Sequence, residues 1–204
     1  HFRQMGVVYM TLCHNGDNDM CDSARGHAEH GGLSAFGQEV VREMNALGMM
    51  IDMSHAAESS FYDALALSQA PIVCSHSSSR ALCSHPRNLT DDQMKALAAQ
   101  GGVAQVTLYH GFLRQEGEAT VLDALDHLHH MVQVMGPEHV GIGTDFDGDG
   151  GVRGLKDASE LIGFTRQLLR RRYSESDLQG IWGGNFLRVM RQVQSSATSH
   201  LGLP

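Results

Sequence analysis

The chain has 204 residues, 42% of them apolar, which is enough for one domain with a sizeable core and too few for two large ones. A formal charge of -8, with no basic stripe apart from "RQLLRRR" at 166–172, excludes a general electrostatic grip on nucleic acid or an anionic membrane surface. No apolar run is long enough to span a membrane, no signal peptide is visible, and Cys13, Cys21, Cys74 and Cys83 lack the spacing of a disulfide scaffold or a zinc ribbon.

In chain order, the first β-rich run is "VVYMTL" from residue 7, which leads to His14. The acidic, histidine-bearing stretch at 15–32 follows; it reads as a polar lid in preference to a metal cluster of Asp17, Asp19, Asp22, His27 and His30. A helix is predicted over 34–47, with Ser34 as N-cap and Gly48 as its stop. The second run, "MMIDMS" from 49, ends at His55, and a helix is predicted over 58–69. The third, "PIVCS" from 71, ends at His76 and holds Cys74 as a small buried hydrophobe; a helix over 90–100 then opens on a threonine cap and early carboxylates. The fourth, "GVAQVTL" from 102, leads to Tyr109 and His110. A helix over 120–135 carries His127, His129 and His130, which a polar helix face explains more simply than a ligand set. The fifth run, "VGIGTD" from 140, ends at Asp145; Asp147 and Asp149 beyond it read as turn residues, since a calcium loop would need a later glutamate. Helices over 156–172 and, as one or two pieces, 174–193 complete the chain, the first with 166–172 as its solvated basic end.

Apolar strands alternating with helices predict a parallel sheet, either open and doubly wound or part of a (β/α)8 barrel. No glycine-rich phosphate loop follows a strand, whereas chemically active residues follow all five, which is the barrel-enzyme pattern. Five strands do not close an eight-stranded barrel, so the sequence reads as beginning inside a fold. His55 and His76 leave the ends of successive strands, and parallel neighbours lie about 4.8 Å apart. They can therefore meet at one metal ion; two hydrogen-bonded histidines capping the core is the alternative. Ser54, Ser75 and Ser77 read as their hydrogen-bond partners, because no G-x-S-x-G elbow surrounds them.

The segments "YMTLCHN", "GLSAFGQEVVREMNALGMMIDMSH", "SHSSSRALCSHPRN" and "VGIGTDFDG" together resemble the membrane (renal) dipeptidase family of zinc metallopeptidases, particularly its bacterial members. The likeness runs from about residue 2 to about residue 193. It implies a TIM-type (β/α)8 barrel, with residues 1–204 as the C-terminal portion of a single barrel domain supplying about its last five βα units. It also implies two zinc ions per complete site and hydrolysis of dipeptides or related small amides. Carried over by position, it makes His55 and His76 the imidazole ligands of one zinc. Asp145 becomes the proton carrier, His14 the group that binds and polarises the scissile carbonyl, and Arg87 in "HPRNL" the holder of the substrate carboxylate. Tyr109 lines the pocket or packs beside it. The family further uses an H-x-D pair and a bridging glutamate, both N-terminal to the matched region, and no H-x-D occurs in these 204 residues. Two other readings stay open: a metal-dependent amidase or lactonase on the same fold, and a truncated binding domain without turnover. A homo-oligomer, no nucleic-acid partner and a bacterial cytoplasmic or periplasmic setting are the remaining expectations.

Overall fold

The structure, a computed structural model, describes residues 1–197. Five strands, β1 (Tyr9–Thr11), β2 (Met50–Asp52), β3 (Val73–Cys74), β4 (Val103–Val106) and β5 (Val140–Ile142), form one sheet in sequence order. Every neighbouring pair is parallel. This is the order of consecutive βα units in a TIM-type barrel, as the alternation of runs predicts.

The strands are shorter than the apolar runs because the chain leaves the ladder to build a site. In "PIVCS", Pro71 has no N–H to give, and the Ser75 N–H turns to a side chain, Asp52 Oδ1, at 2.9 Å. The helices are α1 (Ala35–Leu47), α2 (Glu58–Leu67), α3 (Asp91–Ala99), α4 (His110–Leu113), α5 (Val121–Met135), α6 (Leu161–Arg170), α7 (Glu175–Gln179) and α8 (Asn185–Ser195). Ser34 Oγ caps α1 by accepting from the Gly37 N–H, and Gly48 ends it at φ 66°. Thr90 and Gln93 form a capping box on α3. The predicted 174–193 helix is two, because a π turn over Gly180–Gly184, with Gly183 at φ 147°, separates α7 from α8. The short α4 carries too few residues for a periodic signal.

The two faces of the sheet differ. Ile51, Cys74, Ala104 and Val106 pack outward with Val41, Phe61, Leu97, Leu125 and Leu128 of the surrounding helices. Met50, Val73 and Val103, the first residues of β2, β3 and β4, form a second cluster with Val189 and Val193 of α8. Asp52 is in register with Val73, so that second face turns from apolar to polar toward the strand C-termini. α8 thus stops the N-terminal end of the sheet with hydrocarbon, and the ionisable groups are left at the other end. Among the described residues no helix is long and apolar enough to cross a membrane.

Candidate active site

The site grows from the last residue of β2. Asp52 is fully buried, and its carboxylate gathers three strand ends: it accepts from the Ser54 and Ser75 N–H groups at 3.0 and 2.9 Å and from the Thr11 and Ser75 hydroxyls at 2.6 Å each. Three residues on, His55 adopts φ 73°, a left-handed backbone that is uncommon for a non-glycine residue and reverses the chain at the mouth of the sheet. The His76 N–H, just past β3, donates to Ser54 Oγ at 2.9 Å. These bonds bring the imidazoles together with Nε2 facing Nε2 at 2.8 Å. Their outer nitrogens are engaged elsewhere, His55 Nδ1 with Asn15 Oδ1 at 3.2 Å and His76 Nδ1 with Ser75 Oγ at 2.7 Å.

Burial, followed by the nearby positive charge of Arg87, pushes His55 down to about 2 and lowers His76 as well, so both rings are neutral at pH 7. Asn15 Oδ1 can only accept, so His55 carries its proton on Nδ1 and turns a lone pair inward. Neutral imidazole nitrogens with their outer nitrogens so fixed are suitable donors for a transition-metal cation. Two is fewer than a catalytic metal site takes from protein, and among the described residues no group of three or more His, Cys, Asp or Glu forms a metal cluster.

An open cavity of about 1040 Å³ lies over the pair and is lined by His14, His55, His76, Arg87, Tyr109 and Asp145, so all six residues singled out from the sequence meet at one end of the sheet. The His14 ring lies 4.3 Å from that of His55, centroid to centroid. Asp145 is held at φ 57° beyond β5, and burial raises its carboxyl above the usual aspartate range. Gly143 makes that placement possible: a Cβ there would overlap the carbonyl oxygen of Ser75. Arg87 is 3% exposed, and burial draws its guanidinium down to about 10. Its bonds reach Ser77 Oγ at 3.5 Å and the His76 carbonyl at 3.3 Å, while Nε has no partner among the described residues. Phe112 covers one face at 5.2 Å, and Tyr109 stacks on Phe112 at 4.6 Å. Tyr109 therefore both packs and lines the cavity.

The 15–32 stretch forms a wall of this cavity through Asn15, Asn18, Met20 and Arg25. Its acids tie the loop to itself: Asp17 accepts from the Ser23 and His27 N–H groups, and Asp22 from those of His30 and Gly32. His127 departs from the polar-face expectation for its helix. It is buried, taking the Ser79 N–H on Nδ1 at 3.0 Å and meeting the Leu113 carbonyl through Nε2 at 3.0 Å. Sequence reasoning passed over Asp52, although a carboxylate within "MMIDMS" is a visible anomaly. It also passed over Asn15 and Phe112, which carry no comparable signal.

Successive parallel strands with an ionisable cluster at their C-terminal ends are the arrangement in which TIM-type barrels build their sites. The chain belongs to the membrane dipeptidase family, Peptidase family M19, whose model matches residues 1–201. It is 41% identical over 200 residues to an uncharacterized dipeptidase of Schizosaccharomyces pombe, covering 95% of this chain and 48% of that protein. To Dipeptidase 3 of Mus musculus it is 40% identical over 207 residues, 98% of this chain and 42% of the other. It spans about half the length of the curated relatives it matches. Among solved structures it is similar to the probable dipeptidase PvdM from Pseudomonas aeruginosa, with a TM-score of 0.89 and 31% identity over 92% of this chain and 62% of that one. It is also similar to a metallopeptidase from Rhodobacter sphaeroides bound to a phosphinate mimic of the dipeptide L-Ala-D-Ala, with a TM-score of 0.88 and 26% identity over 94% and 57% of the two chains. Membership of the family implies a metal cofactor.

Proposed function

We propose that this protein takes part in zinc-dependent hydrolysis of dipeptides, with residues 1–204 forming the C-terminal portion of a single (β/α)8 barrel domain. Residues 198–204 of that span lie outside the described residues. The observation that carries the reading is the pair of imidazoles whose Nε2 atoms face each other at 2.8 Å on the floor of the cavity. His55 and His76 would hold one zinc ion of a two-zinc site. Zinc, when bound, lowers the pKa of its water to about 7 and polarises a carbonyl.

The remaining roles belong to side chains. Arg87 binds the free carboxylate of the dipeptide through its guanidinium fork, which borders the cavity and whose Nε has no partner among the described residues. His14 donates to the scissile carbonyl oxygen as charge develops there. Asp145, its affinity for protons raised by burial, takes the proton of the attacking water and returns it to the leaving amine. Tyr109 and Phe112 form the wall beside the substrate carboxylate. The rest of the ligand set would come from outside these 204 residues, from the H-x-D pair and the glutamate that the family resemblance implies. The dipeptide mimic bound by the Rhodobacter sphaeroides protein supports this substrate class.

The buried Arg87 favours dipeptides over lactones, which have no carboxylate to offer it. The small number of metal donors among the described residues favours a second reading, a binding domain without turnover. Zinc content and turnover on dipeptides, acyl amino acids and lactones separate these readings. In the complete barrel, His55→Ala or His76→Ala is expected to lose about one zinc per chain and nearly all dipeptide turnover. Full zinc content and activity in either variant overturns the assignment.

A further inference from the structure

Arg25 stands on the cavity wall without a counter-charge. The backbone beneath it is tied to the strand ends: the Ser23 hydroxyl donates to the His14 carbonyl at 2.6 Å, the Ala24 N–H to the His55 carbonyl at 2.7 Å, and the Arg25 N–H to Ser23 Oγ at 3.2 Å. Its side chain is exposed, borders the cavity and makes neither a hydrogen bond nor an ion pair among the described residues. His85 supplies a second free donor on the same cavity. Its Nδ1 accepts the Arg87 N–H at 3.1 Å, so the proton of the neutral ring sits on Nε2, which has no partner among the described residues. Burial, and then the positive charges of Arg87, Arg25 and Arg80, hold this imidazole below its ordinary 6.5 and keep it neutral at pH 7. His85 and Arg87 also share one ring: the imidazole lies 4.4 Å from the Phe112 centroid and the guanidinium 5.2 Å. The acids of the cavity, Asp145, Asp147 and Asp149, follow β5 and form an ion pair with neither arginine among the described residues.

We propose that Arg25, with the Nε2–H of His85 beside it, forms a second anion subsite that selects dipeptides whose C-terminal residue is aspartate or glutamate. This rests on the reading of Arg87 as the holder of the main-chain carboxylate. The side chain next to that carboxylate belongs to the C-terminal residue, and the free donors next to Arg87 are those of His85 and Arg25. One carboxylate then meets the buried arginine and the other the exposed one. A side-chain carboxylate forms charge-assisted bonds with this pair, whereas the amide of glutamine fills the same space without the charge.

The measurement is kcat/KM of the complete zinc-loaded protein on Ala-Glu and Ala-Gln, each with the C-terminal residue in L and D form, alongside calorimetric binding of the same peptides to the zinc-free protein. The wild type is expected to favour Ala-Glu by about 10-fold or more, the value of one charge-assisted hydrogen bond. Arg25→Met keeps the length of the stem and should bring that ratio to within about 3-fold of unity, while Arg25→Lys, which keeps the charge, should retain part of it. The Arg25 side chain makes no internal bond, so these variants are expected to fold as the wild type does. His85→Phe keeps a ring against Phe112 and removes both nitrogens. It also frees the Arg87 N–H, so the ratio of the two peptides is read in place of the rate on either, and that ratio should fall. Equal kcat/KM for Ala-Glu and Ala-Gln in the wild type, or an Arg25→Met protein with the wild-type ratio, overturns the subsite. A complete protein that hydrolyses no dipeptide overturns the dipeptidase reading instead; the calorimetric preference for Ala-Glu, and its response to Arg25→Met, then decides the subsite by itself.

Discussion

Arg87 and Asp145 line the same cavity and are proposed to perform different work, so conservative changes at the two positions separate binding from chemistry. Lysine at position 87 keeps the charge and loses the fork that grips two carboxylate oxygens. Arg87→Lys is therefore expected to raise KM for free dipeptides by about 10- to 100-fold, the value of one to two charge-assisted hydrogen bonds, with a smaller effect on kcat. Asp145→Asn removes the proposed proton carrier and should lower kcat by about 100- to 10,000-fold with metal still bound. Steady-state kinetics on the complete barrel check both, and identical behaviour of the two variants would contradict the division of roles. His127 provides a separate test at this scale. Burial lowers its pKa from the ordinary 6.5, and its Nδ1 accepts the Ser79 N–H, a bond that protonation destroys. The unfolded chain takes up this proton near pH 6.5 and the folded chain only at lower pH. The contribution of His127 to stability is therefore complete above about 6.5 and lost as pH falls through the window below it. Thermal unfolding should show a drop in Tm between pH 7 and 5 that is smaller in His127→Gln, though that variant is less stable at pH 7.

At the scale of elements, the site depends on how closely β5 approaches β3. The backbone after β5 passes against the Ser75 carbonyl, and only the hydrogen of Gly143 fits between them. Gly143→Ala is expected to push the end of β5 away from β3, at a cost of about 1–3 kcal/mol in denaturant unfolding, because backbone cannot yield as a flexible side chain does. The displacement carries Asp145 away from His76, so kcat should fall even where the variant is fully folded. A variant with native stability and native kcat would show that the two strand ends are not coupled in this way. α8 acts at the opposite end. Asn185 donates to the Pro137 and Val140 carbonyls at 2.8 Å each and anchors the helix to the start of β5, while Val189 and Val193 complete the apolar floor.

At the scale of the whole molecule, β1 and β5 are the two edges of the described sheet, and each presents backbone groups without a strand partner. Such edges invite pairing with another chain. Taken with the two histidines proposed as metal ligands, this leads us to expect that the 204-residue chain alone associates on size-exclusion chromatography, binds Zn2+ weakly and hydrolyses dipeptides poorly. Adding a polypeptide that carries the H-x-D pair and the bridging carboxylate, which the family resemblance places N-terminal to this region, should raise Zn2+ content and turnover together. Full activity of the monomeric chain by itself would show that the site is complete without them.

The alternation of apolar runs with capped helices determined the parallel α/β architecture, since periodicity and punctuation are local properties of sequence: Ser34, Gly48 and Thr90 cap where their chemistry places them. The strand-end positions of His14, His55, His76, Tyr109 and Asp145 were legible for the same reason. Which partners those side chains find was not, because partners are fixed by register between strands far apart in the chain. Nothing local distinguishes His127, held between Ser79 and Leu113, from His129 and His130 on the same helix. Asp52 shows the division most clearly. Its place in an apolar strand is readable, but its joining of Thr11, Ser54 and Ser75 into the support of a histidine exists only once three strands lie side by side.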